Sequence, residues 1–290
     1  MEQNIISCPA CNHQQATLQK QVKDHFLTQE EFQLVSCNAC NLMFTHPRPS
    51  VLNIGDYYKS ENYVSHSSTK KGIVNRIYGI VRSITLKQKV SLIKQLTNRR
   101  QLLDIGAGTG HFLSQAKKAG FIVAGLEPDS DARKYALDQH QLELKDLTEL
   151  SKIIEKFDVV TMWHVLEHVY SLQEDLSTIS TVVSKDGFLI IAVPNHSSYD
   201  AKYYDTFWAA YDVPRHLLHF TPETLIPLIE KYGFQFEKLL PMKFDAYYVS
   251  MLSEKYKGGN LLNALRIGFL SNLKAKSNRY SSQIYIFKKI

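Results

Sequence analysis

Leu102-Leu103-Asp104-Ile105-Gly106-Ala107-Gly108-Thr109-Gly110-His111-Phe112 is an apolar run that ends in a carboxylate and then passes through glycine at every second position. The chain continues as Leu113-Ser114-Gln115-Ala116-Lys117-Lys118-Ala119, which has helical spacing. The pattern predicts strand, glycine turn and helix in succession. Glycine there lets the backbone approach a ligand closely. The free N–H groups at the helix start favour a polar or anionic group. A purely structural tight turn uses the same residues, so this stretch alone does not decide function.

A second apolar run, Phe121 to Leu126, ends in Glu127. That position lies about 20 residues on, where nucleotide-binding α/β domains place a carboxylate for ribose hydroxyls. His111 stands where the dinucleotide fingerprint needs its third glycine, which disfavours an NAD(P)-dependent oxidoreductase. Gly106, Gly108 and Gly110, with Asp104 before them, instead resemble motif I of the class I S-adenosylmethionine (SAM) methyltransferases.

The resemblance extends over residues 97–289. Strands are expected near 101–105, 121–126, 142–144, 157–163, 187–193, 234–240 and 283–287, alternating with helices as in a parallel α/β sheet. The fold implied is a seven-stranded Rossmann-like sheet with its last strand antiparallel, and a ligand over the carboxyl ends of the central strands. By the same resemblance Glu127 binds the ribose and Asp146 meets the adenine amine. Trp163, at the end of the fourth strand, joins the cofactor side.

All four cysteines fall in the first 40 residues, as Cys8-Pro9-Ala10-Cys11 and Cys37-Asn38-Ala39-Cys40. Two C-x-x-C knuckles without a secretion signal argue for a tetrahedral structural zinc site rather than disulfides. A module this small needs such a staple. The expected division is a zinc ribbon over 1–48, a linker and helical lid over 49–96, and a SAM-binding domain over 97–290 with an insertion at 241–280. The ribbon, together with Trp163-His164-Val165-Leu166-Glu167-His168-Val169, resembles the subgroup of ubiquinone-type O-methyltransferases and zinc-containing deoxysugar C-methyltransferases. Ubiquinone-type members carry Glu-x-x-Glu-His here, and some bind a divalent metal with it. His164 replaces the first glutamate, so Glu167 and His168 either hold a metal or brace the loop.

The other dense constellation is Asp212-Val213-Pro214-Arg215-His216-Leu217-Leu218-His219-Phe220-Thr221-Pro222. Its histidines offer a base near neutral pH, and an arginine offers an anion clamp. His216, then His219, then His168 are the candidate bases, and Tyr211 and Arg215 the candidate substrate contacts. Thr221-Pro222 also reads as a helix N-cap followed by its first residue.

The chain has 290 residues, 44% hydrophobic, and a net charge of +6. Its basic residues are dispersed rather than striped, which argues against nucleic acid as partner. No apolar run approaches a membrane span and Met1-Glu2-Gln3-Asn4 is not a signal peptide, so the expected location is cytoplasmic. Leu261 to Leu270 form an apolar helix flanked by Lys255, Lys257, Lys274 and Lys276. Such a segment packs as a lid or dimer face, or lies on a membrane through 258–276. The leading expectation is transfer of a methyl group to an oxygen or carbon of a small molecule, with a sugar nucleotide or other glycan-pathway intermediate ahead of a quinone precursor. The rival is a non-catalytic zinc-ribbon scaffold that binds nucleic acid or protein.

Overall fold

Two sheets divide the chain, and one short strand ties them together. The computed structural model describes residues 7–58, 73–275 and 279–290. The linker tyrosine Tyr63, Lys276 and the side chains of Ile73, Ile77 and Ile80 lie outside the described residues.

The larger sheet has six strands. β4 (Gln101–Ile105), β5 (Ile122–Leu126), β6 (Phe157–Trp163) and β7 (Val183–Pro194) run parallel. β9 (Phe234–Pro241) and β10 (Ser282–Lys289) follow, and β10 lies antiparallel between β7 and β9. The order is β5-β4-β6-β7-β10-β9. The antiparallel last strand is as expected, but the expected seventh strand is absent among the described residues. At 142–144 the chain makes only one bridge, Leu126 to Lys145. Asp146 ends the extended run there, because its side chain accepts from the Thr148 N–H and turns the chain into a 3-10 turn.

Helices cover both faces. α1 (Ile73–Leu96), α2 (His111–Lys118) and α3 (Ser130–His140) pack on one. Val90, Ile93, Phe112, Leu113 and Ala136 are buried there against Leu102, Val159 and Ile190. On the other face lie α4 (Leu172–Val182) and α6 (Pro222–Glu230), with Leu103, Val160, Leu189 and Tyr285 beneath. Alternate residues along β4 and β6 thus point to opposite helical layers, as a doubly covered sheet requires. The expected cap of α6 is present: Thr221 and Thr224 form a capping box, and Pro222 opens the helix.

The second sheet joins β1 (Ala16–Lys23), β2 (Glu31–Cys37) and β3 (Met43–His46) to β8 (Leu218–His219), all antiparallel. The N-terminal residues are therefore not a free-standing appendage. Cys8, Val35, Phe44, Leu217, Leu218 and Phe220 belong to the same apolar core as Leu103 and Val160. α5 (Tyr199–Tyr204) follows β7, and the 241–280 insertion folds into two packed helices, α7 (Lys243–Lys257) and α8 (Leu261–Leu273). Among the described residues no helix is long and apolar enough to cross a membrane.

Candidate active site

The glycine turn at the end of β4 has the conformation its sequence demands. Gly106, Gly108 and Gly110 all have positive φ, at 72°, 54° and 78°, where a side chain is strained. A Cβ on Gly106 would lie 2.4 Å from Val165, whereas one on Gly108 would meet nothing within 4 Å. Gly106 is needed for packing, and Gly108 keeps a space open. Glu127, buried at the end of β5, spans that turn: its Oε2 accepts from the Gly108 N–H at 2.7 Å and its Oε1 from the Asp129 N–H at 2.9 Å. Each oxygen keeps a lone pair for a further donor. Asp146 sits alongside, held through Arg133 Nη1, which reaches Asp146 Oδ2 at 2.9 Å and the Glu127 carbonyl at 2.6 Å.

Asp104 lies beneath the turn, buried, and accepts from the Thr161 hydroxyl at 2.6 Å. Burial pushes its carboxyl up to about 7, against the pull of Thr161 and of the Lys89 ammonium. Lys89, on α1, stands 4.1 Å over the Trp163 ring. Burial lowers its amine to about 8 although Asp104 and Asp245 favour the charge. Trp163 lies edge-on to Phe112, and its buried Nε1–H finds no acceptor among the described residues. A buried carboxylate pair, an open glycine backbone and an orphan N–H fit the nucleoside and amino-acid ends of SAM.

Residues 163–168 run from this cradle to a second cluster. Val165 touches Gly106; two and three residues on, Glu167 and His168 meet His216, with their ligand atoms within 4.8 Å of one another. His168 Nδ1–H donates to the Arg215 carbonyl at 2.9 Å and has the Tyr58 hydroxyl at 3.1 Å. His216 Nδ1–H donates to the Ala210 carbonyl at 2.9 Å. In its neutral form each ring then carries its lone pair on Nε2. Glu167 is buried, with Oε1 3.3 Å from His164 Nδ1 and Oε2 without a partner among the described residues. Burial, joined by His168, lowers the His216 imidazole to about 4, leaving it neutral near pH 7.

His164 closes the cluster from above, its Nε2 3.0 Å from Asp245 Oδ2 on α7. Burial works against its charge, but Asp245 and Glu167 outweigh it and raise the imidazole to about 10. A cation beside Glu167 explains why that carboxyl stays below the usual range despite burial.

The remaining expected site residues fall behind this cluster. His219 is buried, and its Nε2–H donates to Thr45 Oγ1 at 2.9 Å, while the Thr45 hydroxyl donates to the His216 carbonyl at 2.7 Å. His219 Nε2 is thereby fixed as a donor, and burial pushes its imidazole well below the ordinary value. Arg215, expected as an anion clamp, is fully buried, and its donors go to Asp24, Asp212 and the Tyr57 carbonyl. Tyr211 is buried between Trp208 and His219. His219 lines one small cavity together with His216, and Tyr211 and Arg215 line another beside Asp24 and Asp212. Lys89, Thr45, Asp24 and Asp245 had no signal in the sequence, since each acts on residues far away along the chain.

The four cysteines converge at the other end of the N-terminal sheet. The Sγ separations are 3.6 Å for Cys8–Cys40, 3.5 Å for Cys11–Cys37 and 3.6 Å for Cys11–Cys40. They are too long for a disulfide, which needs about 2.05 Å.

The family model described as a methyltransferase domain matches residues 82–239, more than half of the chain, and the protein belongs to that family. Among curated proteins it is 30% identical over 111 residues to a ubiquinone biosynthesis O-methyltransferase of Glaesserella parasuis, covering 34% of this chain and 47% of that protein. A Coxiella burnetii protein of the same name is 28% identical over 129 residues, 42% of this chain and 50% of its own length. The chain thus spans about half the length of the curated relatives it matches. Among solved structures, magnesium protoporphyrin IX methyltransferase from Synechocystis, with bound SAH, superposes with TM-score 0.56 at 13% identity, covering 83% of this chain and 100% of that one. A Galdieria sulphuraria structure described as a "putative sarcosine dimethylglycine methyltransferase" gives 0.51 at 14%, over 74% of this chain and 87% of its own. At these identities the likeness is one of fold.

Proposed function

We propose that the protein transfers a methyl group from SAM to an oxygen or carbon of a small acceptor, with His216 Nε2 taking the acceptor's proton. SAM supplies an already activated methyl, so the chain's work is orientation, exclusion of water and proton removal. Glu127 and Asp146 would hold the ribose hydroxyls and adenine amine, and Asp104 the charged amino-acid end. The observation that carries this reading is the 163–168 segment, which touches the donor cradle through Val165 and the histidine cluster through Glu167 and His168. Calorimetric titration with S-adenosylhomocysteine tests it. Micromolar binding that collapses in Glu127→Ala is expected; no binding by the folded protein returns the reading to a non-catalytic scaffold.

The acceptor preferred on sequence is a sugar nucleotide or glycan intermediate. The named ubiquinone relatives support a phenolic acceptor as the second reading. Turnover of phenols but not sugars in a mixed panel reverses that order. The four cysteines would hold a structural zinc: Zn–S bonds near 2.3 Å imply tetrahedral S···S edges of about 3.8 Å, close to the separations above. Four thiolates leave no open position, so this metal would stabilise the N-terminal sheet rather than take part in transfer.

A further inference from the structure

The α7–α8 hairpin carries eight of the large apolar side chains that are exposed among the described residues. Ala246, Val249 and Ser253 of α7 and Ala264, Ile267 and Ser271 of α8 face the body. On the side away from it stand Phe244, Tyr248 and Met251, spaced one helical turn apart, and Leu261, Leu265, Phe269 and Leu273, spaced likewise, with Leu262 beside them. Their exposure runs from 39% at Met251 to 80% at Leu262. Scattered exposed leucines need no explanation, but two adjacent helices that each turn a continuous apolar stripe outward do.

The charges around these stripes are of one sign. Lys243, Lys255, Lys257, Arg266 and Lys274 are all exposed. Both acids of the two helices are turned in. Asp245 pairs with His164, and Glu254 is buried against the Asn260 N–H. The Lys257 and Lys274 ammonium groups lie over the Tyr203 and Tyr199 rings, while both side chains stay exposed. A second copy docking face to face would bring like charges together. Bulky apolar tips flanked by cations, with no exposed carboxylate on either helix, suit the boundary between headgroups and acyl chains of an anionic bilayer.

We infer that the α7–α8 hairpin is a monotopic docking surface for anionic lipid membranes. The apolar stripes enter the interface while the lysines and Arg266 meet lipid phosphates. The first turn of α7 carries Asp245, which touches His164 in the active-site cluster. Docking therefore brings the bilayer to the rim of that site.

Co-sedimentation of the full-length protein with phosphatidylglycerol–phosphatidylcholine vesicles, against phosphatidylcholine alone, tests the inference. Binding to the anionic vesicles that weakens in high salt is expected. Leu262→Glu with Phe269→Glu removes apolar contact and should lower binding about tenfold or more. Lys255→Glu with Lys257→Glu should lower it about as much by charge alone. All four side chains are exposed, so both variants should keep their melting temperature and their S-adenosylhomocysteine affinity. Absence of binding to anionic vesicles overturns the proposal, as does binding that neither pair of substitutions changes. A dimer that Leu262→Glu with Phe269→Glu dissolves, without vesicle binding, assigns the face to a second copy instead.

Discussion

Arg215 and Asp24, 191 residues apart, meet at 2.8 Å with side chains 1% and 0% exposed. Asp212 takes the other side of the guanidinium, and the Phe26 ring lies 4.8 Å from it. This contact fastens the N-terminal sheet to the loop that carries His216. Arg215→Ala leaves the Asp24 carboxylate buried without its cation, so it should destabilise the fold by about 3–5 kcal/mol. The sign with pH follows from Asp24, whose carboxyl is held low by Arg215 and Thr28 although burial pushes it up. Its contribution is present above the ordinary carboxylate value and lost as pH falls through the lowered one, below about pH 4. Urea unfolding of both proteins from neutral to acid pH should show a gap that closes at low pH. A constant gap would refute the ion pair as its cause.

Asp104 has the opposite sign. Its carboxyl is raised to about 7, so the ionised form costs stability, increasingly as pH rises from about 4 through 7. Asp104→Asn should raise the melting temperature at about pH 8 while weakening S-adenosylhomocysteine. In the unmodified protein that affinity should climb as pH rises through 7. Calorimetry at several pH values reads both, and a pH-independent affinity would separate Asp104 from the cofactor.

Removing the proposed base should act on rate and spare the donor site. His216→Asn should lower methyl transfer about 10²–10⁴-fold with S-adenosylhomocysteine affinity unchanged. Because burial lowers His216 to about 4, the acid limb of the rate profile should fall near pH 4 rather than near 6.5. A limb close to 6.5 would point to a different group.

Metal analysis of the purified protein should find one zinc per chain. Cys8→Ser or a strong chelator should remove it and lower the melting temperature, and the S-adenosylhomocysteine affinity per folded molecule should stay the same. A metal-free protein of undiminished stability would dismiss the four-thiolate site.

What could be read from the sequence was local. The Gly106–Gly110 turn and Glu127 act on one another across about 20 residues, and their spacing is enough to find them. The residues 142–144 looked like a strand by alternation, but the Asp146 cap claims the chain first. The histidines were visible as a cluster, whereas their roles were not. Whether a ring nitrogen is free depends on its partner, and the partner of His219 is Thr45, contributed by a different strand. Arg215 resembled an anion clamp until Asp24 arrived from the N-terminal sheet. Lys89 and Asp245 lie on helices whose sequences show only amphipathic spacing.

The pairing of β3 with β8 has a consequence for the order of synthesis. Thr45 and His219 are 174 residues apart, so at ribosomal speeds β3 emerges roughly 10–35 s before the strand that completes its sheet. During that interval Met43 and Phe44, buried in the finished protein, sit on an open sheet edge of the kind that recruits other chains. The nascent protein must pass through a stage in which its first folded piece still waits for its last strand.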